Sequence, residues 1–147
     1  MDTADIDLRN ATYRAFVELG RAPSAEEIAA RSGLATDSVR GGWRRLHEAH
    51  AVVLDGETGG IRMLNPFSAV PTAFPVEAAG RSWYAPCAWD AFGIGAALHV
   101  DSAFETRCPD CDEPIRIAIH DGRPSDASPL FHVLVPARSW WANIGFT

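Results

Sequence analysis

The sequence contains no lysine, only three cysteines and no apolar run that approaches the roughly 18 residues needed to cross a bilayer. Its 13 basic side chains are all arginines, and 19 acidic side chains outnumber them, so the formal net charge is -6. An acidic chain is a poor electrostatic partner for nucleic acid or for an anionic membrane, and we expect neither as a partner. The start of the chain lacks the basic and apolar segments of a signal peptide, so we expect a cytoplasmic protein.

The three cysteines are Cys87, Cys108 and Cys111. An odd and sparse set does not suit the disulfide framework of a small secreted domain, so we expect reduced thiols that are available for chemistry. With 147 residues, of which 47% are apolar, the chain is long enough to bury a core. Its length suits one ordinary domain, or a small module fused to a second one.

The first third of the chain predicts three helices followed by a β-hairpin. Apolar residues recur at helical spacing from Leu8 to Leu19. Ser24 and Glu27 have the spacing of a capping box that begins a second helix, and we expect Thr36 to cap a third. The segments AVVLD and IRML flank the turn-forming GETGG, which predicts the hairpin. This order is that of a winged helix-turn-helix, which we predict for residues 1–65.

The remaining residues, 66–147, predict a compact α+β domain. Pro66, Pro71 and Pro75 exclude a helix and favour an extended linker at the boundary. Beyond the linker we predict a hairpin around Gly80, a helix in CAWDAFGIGAAL, and paired strands in HVDSAFETRC and EPIRIAIHDG. A buried strand is predicted in PLFHVLVP, and a final helical turn or two in ARSWWANI.

The segment WYAPCAWDAF carries the chemistry. Pro86 precedes Cys87 at the predicted helix start, where unpaired amides stabilise a thiolate and lower the pKa of a thiol. Asp90 lies three residues later, on the same helix face as the sulfur. Apolar surroundings raise the pKa of a carboxyl group, so Asp90 can hold a proton and hand it over. A soft nucleophile beside a proton donor suits protonolysis of a carbon–metal bond.

We therefore predict that Cys87 and Asp90 are catalytic and that Cys87 is also the ligand of a soft metal in the substrate or product. The aromatic side chains of the same segment are predicted to line the substrate site: Trp83, Tyr84, Trp89 and Phe92. A plainer alternative stays open, since a cysteine among aromatic residues is often just a small buried apolar residue. An aspartate in a first helical turn often serves only the helix dipole.

Other motifs carry weaker signals. The CPDC segment has the spacing of half a zinc site, but it supplies only two ligands. His47 and His50 are three residues apart and lack the spacing of the H-E-x-x-H zinc signature. Arg40, Arg44 and Arg45 form a basic row on the predicted third helix, which leaves DNA contact open. The module that carries them is nevertheless slightly acidic, which is unusual for a DNA-binding domain.

The chain resembles the organomercurial (alkylmercury) lyases. The resemblance runs through NPFSAVPTAFPVEAAGRSWYAPCAWDAFGIGAAL, CPDCDEPIRIAI and FHVLVPARSWWANIGFT, and its most specific part extends from the linker through WYAPCAWD. It implies an N-terminal winged-helix module packed on a mixed α/β lyase domain. It also implies that Cys87 binds mercury as a thiolate, and that Asp90 takes part in proton transfer to the departing carbon. For Cys108 it implies a mainly structural role, so we expect a buried thiol there and a more exposed one at Cys111.

The sequence departs from the family in one respect. The family uses a second thiolate just beyond the segment that matches WWANIGFT, and no cysteine occurs there before Thr147. Mercury prefers two soft thiolate ligands, so we expect external thiols as partners of an organomercurial lyase that needs no cofactor. Two alternatives stay open: a paralogue with the same pocket and a different small-molecule substrate, and a thiol-based metal-sensing regulator. A homodimer is compatible with the sequence.

Overall fold

The computed structural model describes residues 1–130, 133 and 135–144, and the chain divides into two compact units, Met1–Leu64 and Asn65–Thr147. This division lies one residue before the boundary drawn from the sequence. Each unit combines helices with antiparallel strands, which confirms the predicted α+β class. None of the described helices is long and apolar enough to cross a membrane.

The first unit consists of three helices and a two-stranded antiparallel hairpin. Its elements are α1 (Thr3–Leu19), α2 (Ala25–Ser32), α3 (Thr36–Glu48), β1 (Val53–Leu54) and β2 (Ile61–Leu64). Their order is the one that the sequence predicts. The assignment of this unit as a winged helix stays a prediction.

The starts of α2 and α3 test two predictions about capping. The predicted capping box of α2 is confirmed, since the Ser24 side chain accepts from the Glu27 amide and the Glu27 carboxylate accepts from the Ser24 amide. The predicted cap of α3 is wrong. Ala35 is the last extended residue and forms the N-cap without a side-chain hydrogen bond, so Thr36 is already the first helical residue.

Close contact between α1 and α3 builds the core of the first unit. A Cβ atom at Gly42 would lie only 2.2 Å from Leu8 Cδ2, so a larger residue where the two helices meet would force the Leu8 side chain to move. Beside this contact, the Thr12 hydroxyl donates to the Leu8 carbonyl at 2.8 Å and accepts from Trp43 Nε1 at 3.0 Å. Thr12 and Trp43 are both fully buried, so this hydroxyl satisfies the indole N–H inside an apolar core.

Replacing Thr12 with valine is expected to destabilise the protein by about 1–3 kcal/mol. Valine retains the shape of threonine but leaves the buried Trp43 N–H without its acceptor, and a polar group buried in this way loses its hydration. The free energy of unfolding in urea measures the loss. Thr12→Ser is the matched control, since it retains the hydroxyl. A loss for Thr12→Val that is smaller than the loss for Thr12→Ser would show that the methyl group matters more here than the hydrogen bond.

The second unit is built on an antiparallel sheet. Its described elements are β3 (Phe67–Ser68), β4 (Pro75–Ala78), β5 (Arg81–Tyr84), α4 (Ala88–Leu98), β6 (Ser102–Arg107), β7 (Pro114–His120), β8 (Arg123–Pro124) and a 3-10 helix (Ala137–Asn143). Within this unit the strand order is β3-β5-β4-β6-β7-β8. The predicted hairpin around Gly80 is confirmed as β4 and β5, and the predicted pair of longer strands is confirmed as β6 and β7.

The strand predicted for residues 129–136 is only partly testable. Phe131, His132 and Leu134 lie outside the described residues. Leu130 is 96% exposed and Val133 is 44% exposed, and neither is in a strand. For these two residues the prediction of a buried strand is wrong, because an apolar run by itself does not show what covers it.

Helix α4 lies directly on the sheet. Its buried side includes Ala91 and Ile94, and it packs against β4 and β6. A Cβ atom at Gly95 would lie 2.3 Å from Ser102 Oγ on β6, so the helix approaches the strand too closely for any larger residue. This packing fixes the position of the helix N-terminus, where Cys87 and Asp90 lie.

Candidate active site

A cavity of about 370 Å³ opens at the N-terminus of α4. Both predicted catalytic residues contribute to its wall. The described residues that line it are Asn65, Pro66, Pro86, Cys87, Trp89, Asp90, Gly93, Trp140 and Ile144. A volume of this size admits a small molecule.

Cys87 and Asp90 contact each other directly. The Cys87 thiol donates a hydrogen bond to Asp90 Oδ2, with 3.3 Å between sulfur and oxygen. Asp90 is buried, whereas Cys87 is half-buried and reaches the cavity. The predicted placement of the two side chains on one face is thus confirmed. The helix begins one residue later than predicted, at Ala88. Cys87 is the extended N-cap residue, with φ -150° and ψ 178°.

The predicted low pKa of the Cys87 thiol is wrong. Burial raises the pKa of this thiol, and the nearby Asp90 carboxylate raises it further. The amides of Asp90 and Trp89 favour the thiolate, as expected at a helix start, but burial has the larger effect. Cys87 is therefore a protonated thiol at neutral pH until a ligand displaces its proton.

The prediction for Asp90 is confirmed in direction. Burial raises the pKa of its carboxyl group above the ordinary value, and the hydrogen bond from Cys87 opposes this only in part. A carboxyl group with a raised pKa accepts a proton more readily than an exposed one. The pair can thus pass the thiol proton from sulfur to oxygen over a single hydrogen bond.

The four predicted aromatic residues do not lie together. Trp89 lines the cavity, and it is 65% exposed. Trp83 belongs to the core instead, since it packs on Phe67 with ring centroids 5.1 Å apart and donates to the Ala78 carbonyl. Tyr84 follows it on β5, where side chains alternate between the two faces of the sheet.

Phe92 also lies away from the sulfur. It packs edge-to-face on Phe104 and lines a different cavity of the second unit. Trp89, Asp90 and Gly93 of α4 line the Cys87 cavity, and Phe92 does not. The described residues that line the Cys87 cavity therefore do not include Trp83, Tyr84 or Phe92.

Several lining residues were not identified from the sequence. Trp140 and Ile144 come from the end of the chain, more than 45 positions after Asp90, and Trp140 Nε1 donates to the Val135 carbonyl at 2.6 Å. Gly93 could have been identified from the sequence, because glycine inside a helix is costly and often marks close packing. A Cβ atom there would lie 3.0 Å from Pro66 Cβ, so glycine admits the proline to the cavity wall.

Comparison with known proteins identifies the family to which this chain belongs. The sequence model of the MerB family, the alkylmercury lyases, matches residues 67–147, which is more than half of the chain and includes Cys87 and Asp90. The chain belongs to the alkylmercury lyase family. The resemblance inferred from the sequence is thereby confirmed.

A solved structure shows the same fold. The crystal structure of the mercury-bound form of MerB2 superimposes on this alkylmercury lyase family member with a TM-score of 0.69 and 21% sequence identity. The similarity covers 86% of this chain and 60% of that chain, so the present chain spans less than two thirds of the length of its relative. A comparison with curated proteins found no match.

Proposed function

We propose that this protein cleaves carbon–mercury bonds of small organomercurials, with Cys87 capturing the metal and Asp90 delivering the proton. The observation that carries the proposal is the hydrogen bond of 3.3 Å between the Cys87 thiol and the Asp90 carboxylate at a cavity wall. Membership of the alkylmercury lyase family supports it. Soft sulfur is the ligand that a soft metal selects, and the carboxyl group beside it provides acid catalysis.

In the first step, Cys87 replaces the thiolate that carries the organomercurial in solution. A bond forms between Cys87 Sγ and mercury, and the bond between mercury and the carrier thiolate breaks. The thiol proton moves to Asp90 Oδ2, its hydrogen-bond partner in the resting protein. The raised pKa of the buried carboxyl group favours this transfer.

In the second step, Asp90 protonates the carbon that is bonded to mercury. The carbon–mercury bond breaks, its electron pair takes the proton as the hydrocarbon leaves, and Asp90 becomes a carboxylate again. A thiolate binds the vacated position on mercury. The net reaction converts the Cys87 thiol and the organomercury thiolate into a hydrocarbon and a mercuric ion held by two sulfur atoms. No electrons are exchanged with a cofactor.

The second sulfur atom in this scheme comes from an external thiol. Cys87 is the only cysteine among the described residues that line the cavity. A small thiol from solution is able to reach the metal, since Cys87 is only half-buried and Trp89 beside it is largely exposed. The product then leaves when a further thiol displaces Cys87 from mercury.

Incubation of the protein with a phenylmercury salt and an excess of a small monothiol is expected to release benzene. Gas chromatography of the headspace measures the product, and protein whose thiols are blocked with iodoacetamide provides the background. Benzene release no faster than in that control would overturn the proposal. Capture of phenylmercury on Cys87 without release of benzene, visible by intact mass, would favour the paralogue with a different substrate.

The structure weighs against the DNA-binding regulator. Arg40 pairs with Glu26 at 2.7 Å, and Arg45 pairs with Asp5 at 2.6 Å. Two of the three arginines in the basic row are thus neutralised by carboxylates of their own unit, which lowers the charge they offer to phosphates.

A further inference from the structure

The turn between β6 and β7 places the two remaining cysteines together at the end of the longest strand pair of the second unit. Cys108 directly follows β6, and Cys111 lies in the turn before β7. Two backbone hydrogen bonds close the turn: Cys108 N–H donates to the Glu113 carbonyl, and Asp112 N–H donates to the Cys108 carbonyl, each at 2.9 Å. The backbone path that brings the two cysteines close together is therefore held by hydrogen bonds.

A side-chain ion pair also stabilises the turn. Arg107 donates from its guanidinium group to both carboxylate oxygens of Asp112, at 2.8 and 3.0 Å. Asp112 has a left-handed backbone, with φ 58°, which turns the chain back toward β7. Because these hydrogen bonds already hold the turn in one shape, little backbone entropy is lost when both sulfur atoms bind one ion.

The surroundings of Cys108 favour a thiolate. The amides of Cys111 and Asp110 point at its sulfur, and the Cys111 thiol also donates to it, so the pKa of Cys108 is lowered. Amides that converge on one atom are a common feature of anion and metal-ligand sites. The contrast with Cys87 is clear, since burial raises the pKa of that thiol.

Neither cysteine is buried, so the buried thiol expected at Cys108 is wrong. Cys111 is exposed as expected, but Cys108 is half-buried and not sealed in the core, and neither forms a disulfide. No group of three or more histidine, cysteine, aspartate or glutamate side chains capable of holding a metal occurs among the described residues. This turn therefore supplies too few ligands for a zinc ion, which takes four in structural sites.

We propose that Cys108 and Cys111 form a second soft-metal site that chelates one mercuric ion through two thiolates, separately from Cys87. Mercuric ion suits the pair because two thiolates satisfy its preference for soft ligands. On binding, the two thiols release their protons to solvent, two sulfur–mercury bonds form, and the two ligands that mercury carried before are lost. No oxidation or reduction takes place. The proposal does not depend on carbon–mercury cleavage.

The test uses the full chain with Cys87→Ser, so that the two turn cysteines are the remaining thiols. This protein is titrated with mercuric chloride in the presence of a small monothiol, and bound mercury is counted by intact mass and by the ultraviolet absorption of the mercury–thiolate bonds. One equivalent is expected to be retained. The further substitutions Cys108→Ser and Cys111→Ser, made one at a time, are each expected to weaken retention by about 10²–10⁴-fold, since only one sulfur then remains.

Three outcomes would overturn the proposal. One is failure of the Cys87→Ser protein to retain mercury against the monothiol. Another is equal retention by the single-thiol variants, which would show that the two sulfur atoms do not act together. The third is equally tight retention of zinc ion, which would require more ligands than this turn supplies. Because Cys111 is exposed, its serine variant is expected to fold, and the thermal unfolding midpoint checks this.

Discussion

Replacing Cys87 with serine is expected to abolish benzene release from phenylmercury. A serine hydroxyl is a hard ligand that does not displace a thiolate from mercury, and no other cysteine lines the described part of the cavity. The smaller hydroxyl is still able to donate to Asp90 Oδ2, so we expect the fold of α4 to be retained. Headspace chromatography measures the product with phenylmercury and excess monothiol, as for the wild type.

The folded state of the Cys87→Ser protein provides the control. Its circular dichroism spectrum and its unfolding midpoint are expected to match those of the wild type to within a few degrees, since the substitution changes one half-buried atom. Cleavage at the wild-type rate by this variant would exclude Cys87 as the capturing thiol. It would assign the activity to another group, or to the monothiol alone.

Replacing Asp90 with asparagine is expected to slow cleavage by about 10²–10⁴-fold, the usual contribution of a general acid. The amide has nearly the same shape but cannot carry the proton from Cys87 to carbon. Capture of phenylmercury is expected to continue, so the variant should accumulate a protein–phenylmercury adduct that intact mass detects. This division between capture and cleavage separates a proton-transfer role from a purely structural one.

A matched control for the carboxylate is Glu105→Gln on β6. Glu105 is exposed and does not line the Cys87 cavity, so this loss of one negative charge should leave cleavage unchanged. If Asp90→Asn and Glu105→Gln behaved alike, general acid catalysis by Asp90 would be contradicted.

The pH dependence of the wild type is a second readout of the same pair. Proton transfer from Cys87 through Asp90 to carbon starts from a pair that shares one proton, with the thiol protonated and the carboxyl group ionised. Burial raises the pKa of Asp90 and that of Cys87, so kcat/KM should rise through an acid limb above the ordinary pKa of a carboxyl group. It should fall only above the ordinary pKa of a thiol. These limits belong to the coupled pair, and the acid limb should be lost in Asp90→Asn.

Local sequence patterns account for the features that were predicted well. The Ser24–Glu27 capping box and the β4–β5 hairpin depend on residues a few positions apart. The contact between Cys87 and Asp90 is also local, because residues three apart in a helix share a face. Family membership followed from continuous segments of sequence, and the match over residues 67–147 confirms it.

The composition of the cavity wall was predicted poorly. Aromatic residues near Cys87 in sequence were expected to surround it, yet Trp83 is in the core and Phe92 faces another cavity. Trp140 and Ile144 line the cavity although they are distant along the chain. Proximity in sequence does not determine which side chains meet across a folded domain, because sheet and helix faces direct neighbours apart.

The sequence by itself determined most of the helices and strands, the family and the contact between Cys87 and Asp90, because each depends on short spacings or continuous segments of the chain. The tertiary structure alone decided the direction in which the pKa of Cys87 shifts and which residues surround this thiol. A helix N-terminus acts on the thiol through nearby amides, which the sequence reveals. Loss of water around the thiol depends on packing by distant parts of the chain, and at Cys87 that loss has the larger effect on the pKa.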